Sequence, residues 1–275
     1  MMCAWKELLS ILPPRLRREV DILGRESMQE LRLRINAPPE LVLWERSHWL
    51  SGSITRDELN FVINTASRYS PWTASTASQG YITAPGGHRI GLCGDVVCRN
   101  GAVEGIREVH SLCIRIARDI QGIAGHASDI DGSILILGAP GWGKSTLLRD
   151  LVRLLAENET VCVVDERCEL YPDGFRRGKR MDILTGCPKR IGIDMALRTM
   201  GPSCIAVDEI TAEGDCHALM QAANCGVRLI ATAHASSAQD FLSRSIYQPL
   251  VKNRIFETLL ILNKDKSYKV ERMTL

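Results

Sequence analysis

Gly138-Ala139-Pro140-Gly141-Trp142-Gly143-Lys144-Ser145 meets the pattern G-x-x-x-x-G-K-[ST] at every fixed position, directly after the apolar run 133–137 and directly before a helical stretch, 146–157. Glycines let a backbone curl until successive N–H groups face a chain of phosphates, and a helix start behind the loop adds its positive dipole end. Strand, loop and helix in that order predict a nucleotide-binding α/β domain. The expected binding set is Gly138, Ala139, Pro140, Gly141, Trp142, Gly143, Lys144, Ser145 and the following Thr146. In it Lys144 bridges the terminal phosphates of ATP and Ser145 ligates Mg2+. Trp142 is bulky for a loop apex and suits a base, a neighbouring subunit or plain exposure. A bare structural turn has no need of the Gly-Lys-Ser ending.

Working outward, the apolar run 204–207 ends in Asp208-Glu209. Asp208 is expected to hold Mg2+ through water and Glu209 to polarise the attacking water. A second run, 161–164, ends in Asp165-Glu166-Arg167, and two such strand ends can converge on one carboxyl edge of a sheet. Glu209 takes the general-base role and Glu166 that of a helper on metal or water, two roles that can be exchanged; Asp165 and Glu166 bound only to Arg167 or a neighbouring loop is the plainer reading. The run 227–231 leads through Thr232-Ala233 to His234, placed to touch a terminal phosphate or to act as a structural donor.

These runs, with 134–137 and 258–262, recur with helix-length segments between most of them, as parallel βαβ units require, and being apolar on both faces they predict a sheet covered on both sides. The chain before them has another rhythm. Residues 28–35 alternate Leu31, Leu33 and Ile35 against Glu30, Arg32 and Arg34, and Thr55-Arg56-Asp57-Glu58 is a capping box opening a helix. From 80 to 117 the pattern is strand, Gly86-Gly87 turn, strand 89–97, the hairpin signal Asn100-Gly101, and strands 103–106 and 112–117, with Arg115 on a non-core face. Residues 122–132, rich in Gly and Asp, read as a linker. The expected division is an α+β domain with antiparallel strands at 1–122 and an ATPase domain at 123–275, with no internal repeat.

Across 275 residues, 45% hydrophobic and 24% charged, Lys plus Arg number 34 against 32 Asp plus Glu, so a net +2 supplies no bulk electrostatic drive towards nucleic acid or membrane. The longest apolar runs fall far short of the roughly 18 residues of a spanning helix. The N-terminal stretch has an acid, two prolines and no small-residue cleavage site, which predicts a cytoplasmic protein without secretory signal. Ten cysteines form no Cys-x-x-Cys pair; Cys93 with Cys98, Cys162 with Cys168 and Cys216-His217 with Cys225 match no zinc module, and buried or incidental thiols are expected.

Over nearly its whole length the chain resembles the stage III sporulation protein AA family, relatives of the type II and type IV secretion and pilus-retraction ATPases in the RecA-like/AAA+ group. The most specific stretches are Gln79-Gly80-Tyr81-Ile82-Thr83, Gly86-Gly87-His88-Arg89-Ile90-Gly91-Leu92-Cys93-Gly94 and Ser111-Leu112-Cys113-Ile114-Arg115-Ile116-Ala117-Arg118. Val163 to Arg167 resembles the acidic box of secretion ATPases, Leu197-Arg198-Thr199-Met200 their Arg-rich approach to the second motif, and Ala231 to His234 their histidine box. Asp208 stands where many of them have Gly, and Thr211-Ala212 where Arg-Asp usually follows, which bears on the choice of base. The resemblance implies a RecA-like fold and a hexameric ATPase in the mother-cell cytoplasm of an endospore-forming bacterium. It implies work on a membrane-embedded channel protein between mother cell and forespore, with no nucleic acid and no membrane span of the chain's own. Ring ATPases need positive charge delivered to the terminal phosphate, for which Arg89, Arg107, Arg115 and Arg198 are candidates, Arg115 and Arg198 foremost.

Other readings are weaker. Asn263-Lys264-Asp265-Lys266 carries its acid one place early for guanine recognition, and the Ser-Gly-Gly-Gln of transporter cassettes is absent. A DNA-directed motor is supported by Arg176-Arg177-Gly178-Lys179-Arg180, a run more often solvated. A nucleotide-gated scaffold that rarely hydrolyses has no use for Glu209.

Overall fold

Two separate sheets organise the chain. A computed structural model describes residues 4–25, 27–44, 46–67, 80–99 and 101–273; Gln79 and Asn100 lie outside them. The first unit runs to Asp119 and includes Pro172–Phe175; the second takes Ile120–Tyr171 and Arg176–Leu275.

The first unit contains helices α1 (Trp5–Ile11), α2 (Pro14–Gly24) and α3 (Arg56–Ser67) and strands β1 (Met28–Arg34), β2 (Glu40–Leu43), β3 (Ser47–Trp49), β4 (Tyr81–Thr83), β5 (Arg89–Arg99) and β6 (Ala102–Arg115). The strands form an antiparallel sheet in the order β3-β2-β1-β6-β5-β4. The alternation in β1 buries Leu31 and Leu33 against Leu8, Ile11, Leu59 and Ile114, and leaves Glu30 and Arg32 to pair at 2.7 Å on the other face. The capping box forms: Thr55 Oγ1 accepts from the Glu58 amide at 3.2 Å, and Glu58 accepts from the Thr55 amide at 3.0 Å. Arg15 reaches the same carboxylate at 2.5 Å, which holds Glu58 below the usual range.

The strands expected at 103–106 and 112–117 are one strand, β6, paired along β5 with three register shifts. Gly94 permits this. A Cβ there would stand 1.8 Å from the Glu108 carbonyl oxygen, so only glycine lets the strands close across the shift, and residues 107–111, polar except for Val109, stay in the ribbon. In the Gly86-Gly87 turn both φ angles are positive, 76° and 77°. His88 beside it is wholly buried, with Nε2 2.8 Å from the Ala4 carbonyl and Nδ1 accepting from the Ala117 amide at 3.2 Å. Burial pushes this imidazole below its ordinary value.

The second unit has strands β7 (Ile134–Leu137), β8 (Val161–Asp165), β9 (Met181–Thr185), β10 (Cys204–Glu209), β11 (Arg228–Ala233), β12 (Thr258–Leu262) and β13 (Tyr268–Arg272). Its helices are α4 (Lys144–Leu155), α5 (Lys189–Thr199), α6 (Glu213–Asn224), α7 (Ala238–Ser243) and α8 (Gln248–Lys252). The sheet order is β13-β12-β7-β11-β10-β8-β9, parallel throughout except between β12 and β13. This is the predicted α/β architecture, a largely parallel sheet in one unit and an antiparallel sheet in the other. Leu135, Leu137, Ile205 and Leu229 pack into one apolar cluster, and Ile134, Ile136, Ala206 and Ile230 pack with α4 into another. Both faces are therefore buried, and truncating one of these leucines to alanine costs about 2–5 kcal/mol.

The edge strands β9 and β13 were not legible as apolar runs, because an edge leaves polar residues such as Asp182, Lys269 and Glu271 in solvent contact. The expected linker at 122–132 is also different. Ala124 and Ala127 are buried beneath α4, and the Ala124 amide donates to Asp150 at 2.9 Å, so the segment packs as part of the second unit. Among the described residues no helix is long and apolar enough to cross a membrane, and the cysteines are free thiols.

Candidate active site

The loop between β7 and α4 curls as its glycines predict. Gly141 and Gly143 take φ of 77° and 103°, and a Cβ on either would meet nothing within 4 Å, so the hollow they line is open. Gly143 precedes the first turn of α4. Trp142 is half-buried, packed against the apolar cluster under α4.

Lys144 is 6% exposed, and its ammonium donates to the carbonyls of Gly138 at 3.0 Å and Ala139 at 3.4 Å and to His234 Nδ1 at 2.8 Å. Burial pushes it below the ordinary lysine value, with Glu209 and Asp208 opposing. A cation on Nδ1 requires that nitrogen to accept, so the proton sits on Nε2, which donates to Glu209 Oε1 at 2.7 Å. Phosphate-loop lysine, strand-end histidine and strand-end glutamate thus form one chain.

Ser145 Oγ lies 3.5 Å from Asp208 Oδ1. Burial and then the neighbouring Asp165 push the Asp208 carboxyl above its usual range. A hydroxyl and a carboxylate side by side, next to a lysine and an open glycine hollow, are donors of the kind a phosphate chain with a hard divalent cation takes. Between Ala206 and Glu209 strand β10 takes three steps where β11 takes two from Ile230 to Thr232, and this bulge re-aims the acid pair at the sheet edge.

The second acid pair behaves differently. The Asp165 carboxylate accepts from the amides of Glu169 at 3.0 Å and Leu170 at 2.7 Å, anchoring the loop after β8. Glu166 pairs at 2.5 Å with Lys189, which also lies 3.6 Å from Asp215. The candidate arginines all have partners within the chain: Arg89 over the Tyr81 ring at 3.9 Å, Arg107 by Asp95 at 3.9 Å, Arg115 by Glu30 at 3.3 Å and Arg198 with Asp194 at 2.9 Å.

With this geometry in view, the model of the family described as sporulation stage III, protein AA, matches residues 4–272. The chain belongs to the sporulation stage III protein AA family. It is 35% identical over 282 residues to the stage III sporulation protein AA of Bacillus subtilis (strain 168), covering 94% of this chain and 91% of that protein. Among solved structures it is similar to the ATPase DotB of Legionella pneumophila (TM-score 0.62, 18% identity, 95% of this chain and 80% of that one). It is similar also to the pilus retraction motor PilT with bound ADP (TM-score 0.64, 13% identity, 95% and 83%). At these identities the likeness is one of fold.

Two residues of this member of the family were given no role by the motifs. Lys189 is buried between Glu166 and Asp215, and a lysine in the run Pro188-Lys189-Arg190 carries no mark of a buried ion pair. Thr232 is fully buried in β11, and its Oγ1 has no hydrogen-bond partner. Its signal was a hydroxyl residue inside an apolar run, two positions before His234.

Proposed function

We propose that this family member is a Mg2+-dependent ATPase of the secretion-motor type. Residues 123–275 bind and hydrolyse the nucleotide, and residues 1–122 serve assembly into a hexamer. Its work is to energise a membrane-embedded channel between mother cell and forespore from the mother-cell cytoplasm, without nucleic acid. The observation that carries the hydrolytic reading is the chain Lys144–His234–Glu209 at the mouth of the phosphate loop.

The residues divide the work by chemistry. The backbone N–H groups of the loop 138–146, of which Pro140 has none, and the Lys144 ammonium bind the phosphates; to do so Lys144 exchanges the Gly138 and Ala139 carbonyls and His234 Nδ1 for phosphate oxygens. His234 Nε2 keeps Glu209 aimed, and Glu209 takes the proton of the attacking water. Bound Mg2+ would neutralise charge on the phosphate oxygens, with Ser145 and Asp208 as the residues that hold it. Glu209 is the better base because Glu166 is tied to a buried ammonium. Arg115 or Arg198, released from its partner, delivers charge to the neighbouring subunit's terminal phosphate.

A DNA-directed motor finds less support. Arg177 donates to the Tyr171 carbonyl at 3.2 Å, Arg180 to the Asn158 carbonyl at 2.7 Å, and Lys179 pairs with Glu157 at 3.3 Å, so much of the basic run serves the fold. Steady-state hydrolysis with and without DNA, together with light scattering in a non-hydrolysable ATP analogue, tests the proposal. DNA-independent turnover and nucleotide-promoted assembly support it. Calorimetry that detects neither ATP nor ADP binding to folded protein overturns it.

A further inference from the structure

The buried polar groups around the loop are paired, with one exception. Lys144, His234, Glu209 and Asp165 have partners at 3.0 Å or less, and Ser145 stands by Asp208. Among the described residues Thr232 Oγ1 is the buried side-chain oxygen without one. A buried hydroxyl left unpaired lowers stability, and such orphans are rare in folded chains, so this one calls for a physical reason.

Its position supplies the reason. Strand β11 alternates: Ala231 and Ala233 belong to the cluster away from α4, and Ile230 to the cluster beneath α4. Thr232, two residues beyond Ile230, faces the α4 side. Its register neighbours are Glu209 on β10 and Ile136 on β7, and Gly138 follows two residues after Ile136. The orphan hydroxyl therefore lies in the strand row directly beneath the phosphate loop, on the side where Ser145 meets Asp208. A threonine hydroxyl donates and accepts at once, which suits it to a water shared with charged neighbours.

We propose that Thr232 is a positioning residue of the nucleotide site, its hydroxyl kept for a water that the Mg2+–nucleotide complex brings against Ser145 and Asp208. This rests on the ATPase reading above. Among the described residues no protein group pairs with this hydroxyl, and the proposed water gives it a partner in the loaded state.

The test compares wild type, T232V and T232S by calorimetric titration of ADP at stepped Mg2+ concentrations, beside scanning calorimetry of the nucleotide-free proteins. Valine keeps the shape and removes the orphan, so nucleotide-free T232V melts at or above the wild-type temperature. The Mg2+ concentration for half-maximal ADP binding rises about 3- to 10-fold in T232V, the worth of one hydrogen bond, and T232S returns it to within about 2-fold of wild type. A T232V protein that melts below wild type, or whose Mg2+ dependence is unchanged while wild type binds ADP, overturns this inference alone. Wild type that binds no ADP at any Mg2+ concentration overturns the ATPase reading and this inference with it.

Discussion

Lys144 Nζ lies 2.8 Å from His234 Nδ1, although 90 residues separate the two in the chain. The histidine nitrogen occupies one of the ammonium's three donor directions, so under the proposed function a phosphate oxygen competes with it there. His234→Ala removes that competitor and also the Nε2–H that orients Glu209. Calorimetry is expected to find ADP affinity held or tightened, while turnover falls about 100-fold, the lower end of what a positioned base contributes. Lys144→Ala abolishes nucleotide binding in the same titration.

The two glutamates differ in what holds them, a histidine for Glu209 and a buried lysine for Glu166. Glu209→Gln is expected to keep ADP binding and lower steady-state ATP turnover by about 10²–10⁴-fold. Glu166→Gln leaves Lys189 with Asp215 alone, and its effect is a lower melting temperature with turnover within about 3-fold of wild type. Should Glu166→Gln stop hydrolysis and Glu209→Gln spare it, the base is Glu166.

His88 makes the first unit sensitive to acid. Its folded value is depressed below 6.5 by burial, so the neutral ring contributes stability that is present above that value and is lost as pH falls through it towards the folded value. Protonation also removes the acceptor that the Ala117 amide uses. Thermal unfolding of wild type is expected to show a falling midpoint below about pH 6.5, the ordinary histidine value. His88→Ala, which costs about 1–3 kcal/mol for each partner left unpaired, flattens that slope.

Arg115 and Arg198 are ion-paired at the surface, at 3.3 Å to Glu30 and 2.9 Å to Asp194, and exposed pairs of this kind contribute about 0–1 kcal/mol. Replacing either with alanine therefore leaves the melting temperature near that of wild type. Whichever arginine acts in trans lowers turnover by about 10³-fold or more, with ADP binding retained. Light scattering with a non-hydrolysable ATP analogue shows whether the variant still assembles, and a strictly monomeric wild type removes the ring.

Local sequence was enough for the elements whose physics is local. The Gly-Lys-Ser loop between a strand and a helix, the alternation of Leu31 and Leu33 with Glu30 and Arg32, and the Thr55–Glu58 capping box each depend on neighbours a few residues away, and each formed as its pattern required. Acidic strand ends were visible too, because the apolar runs 161–164 and 204–207 each give way to an Asp-Glu pair, although Asp165 and Asp208 themselves stay buried.

Which acid pairs with what was beyond any local pattern. Asp165-Glu166 and Asp208-Glu209 read alike as text, yet one carboxylate anchors a backbone loop, one meets a buried lysine, one faces a serine hydroxyl and one a histidine. Strand order put β11 between β7 and β10, and that adjacency brought His234 to Lys144 and left the Thr232 hydroxyl unpaired. Periodicity and turn chemistry are encoded over a few residues, so the chain alone determined its inner strands, its glycine-rich loop and its two kinds of sheet. Partners across a sheet are set by packing between segments tens of residues apart, so only the tertiary structure decided them.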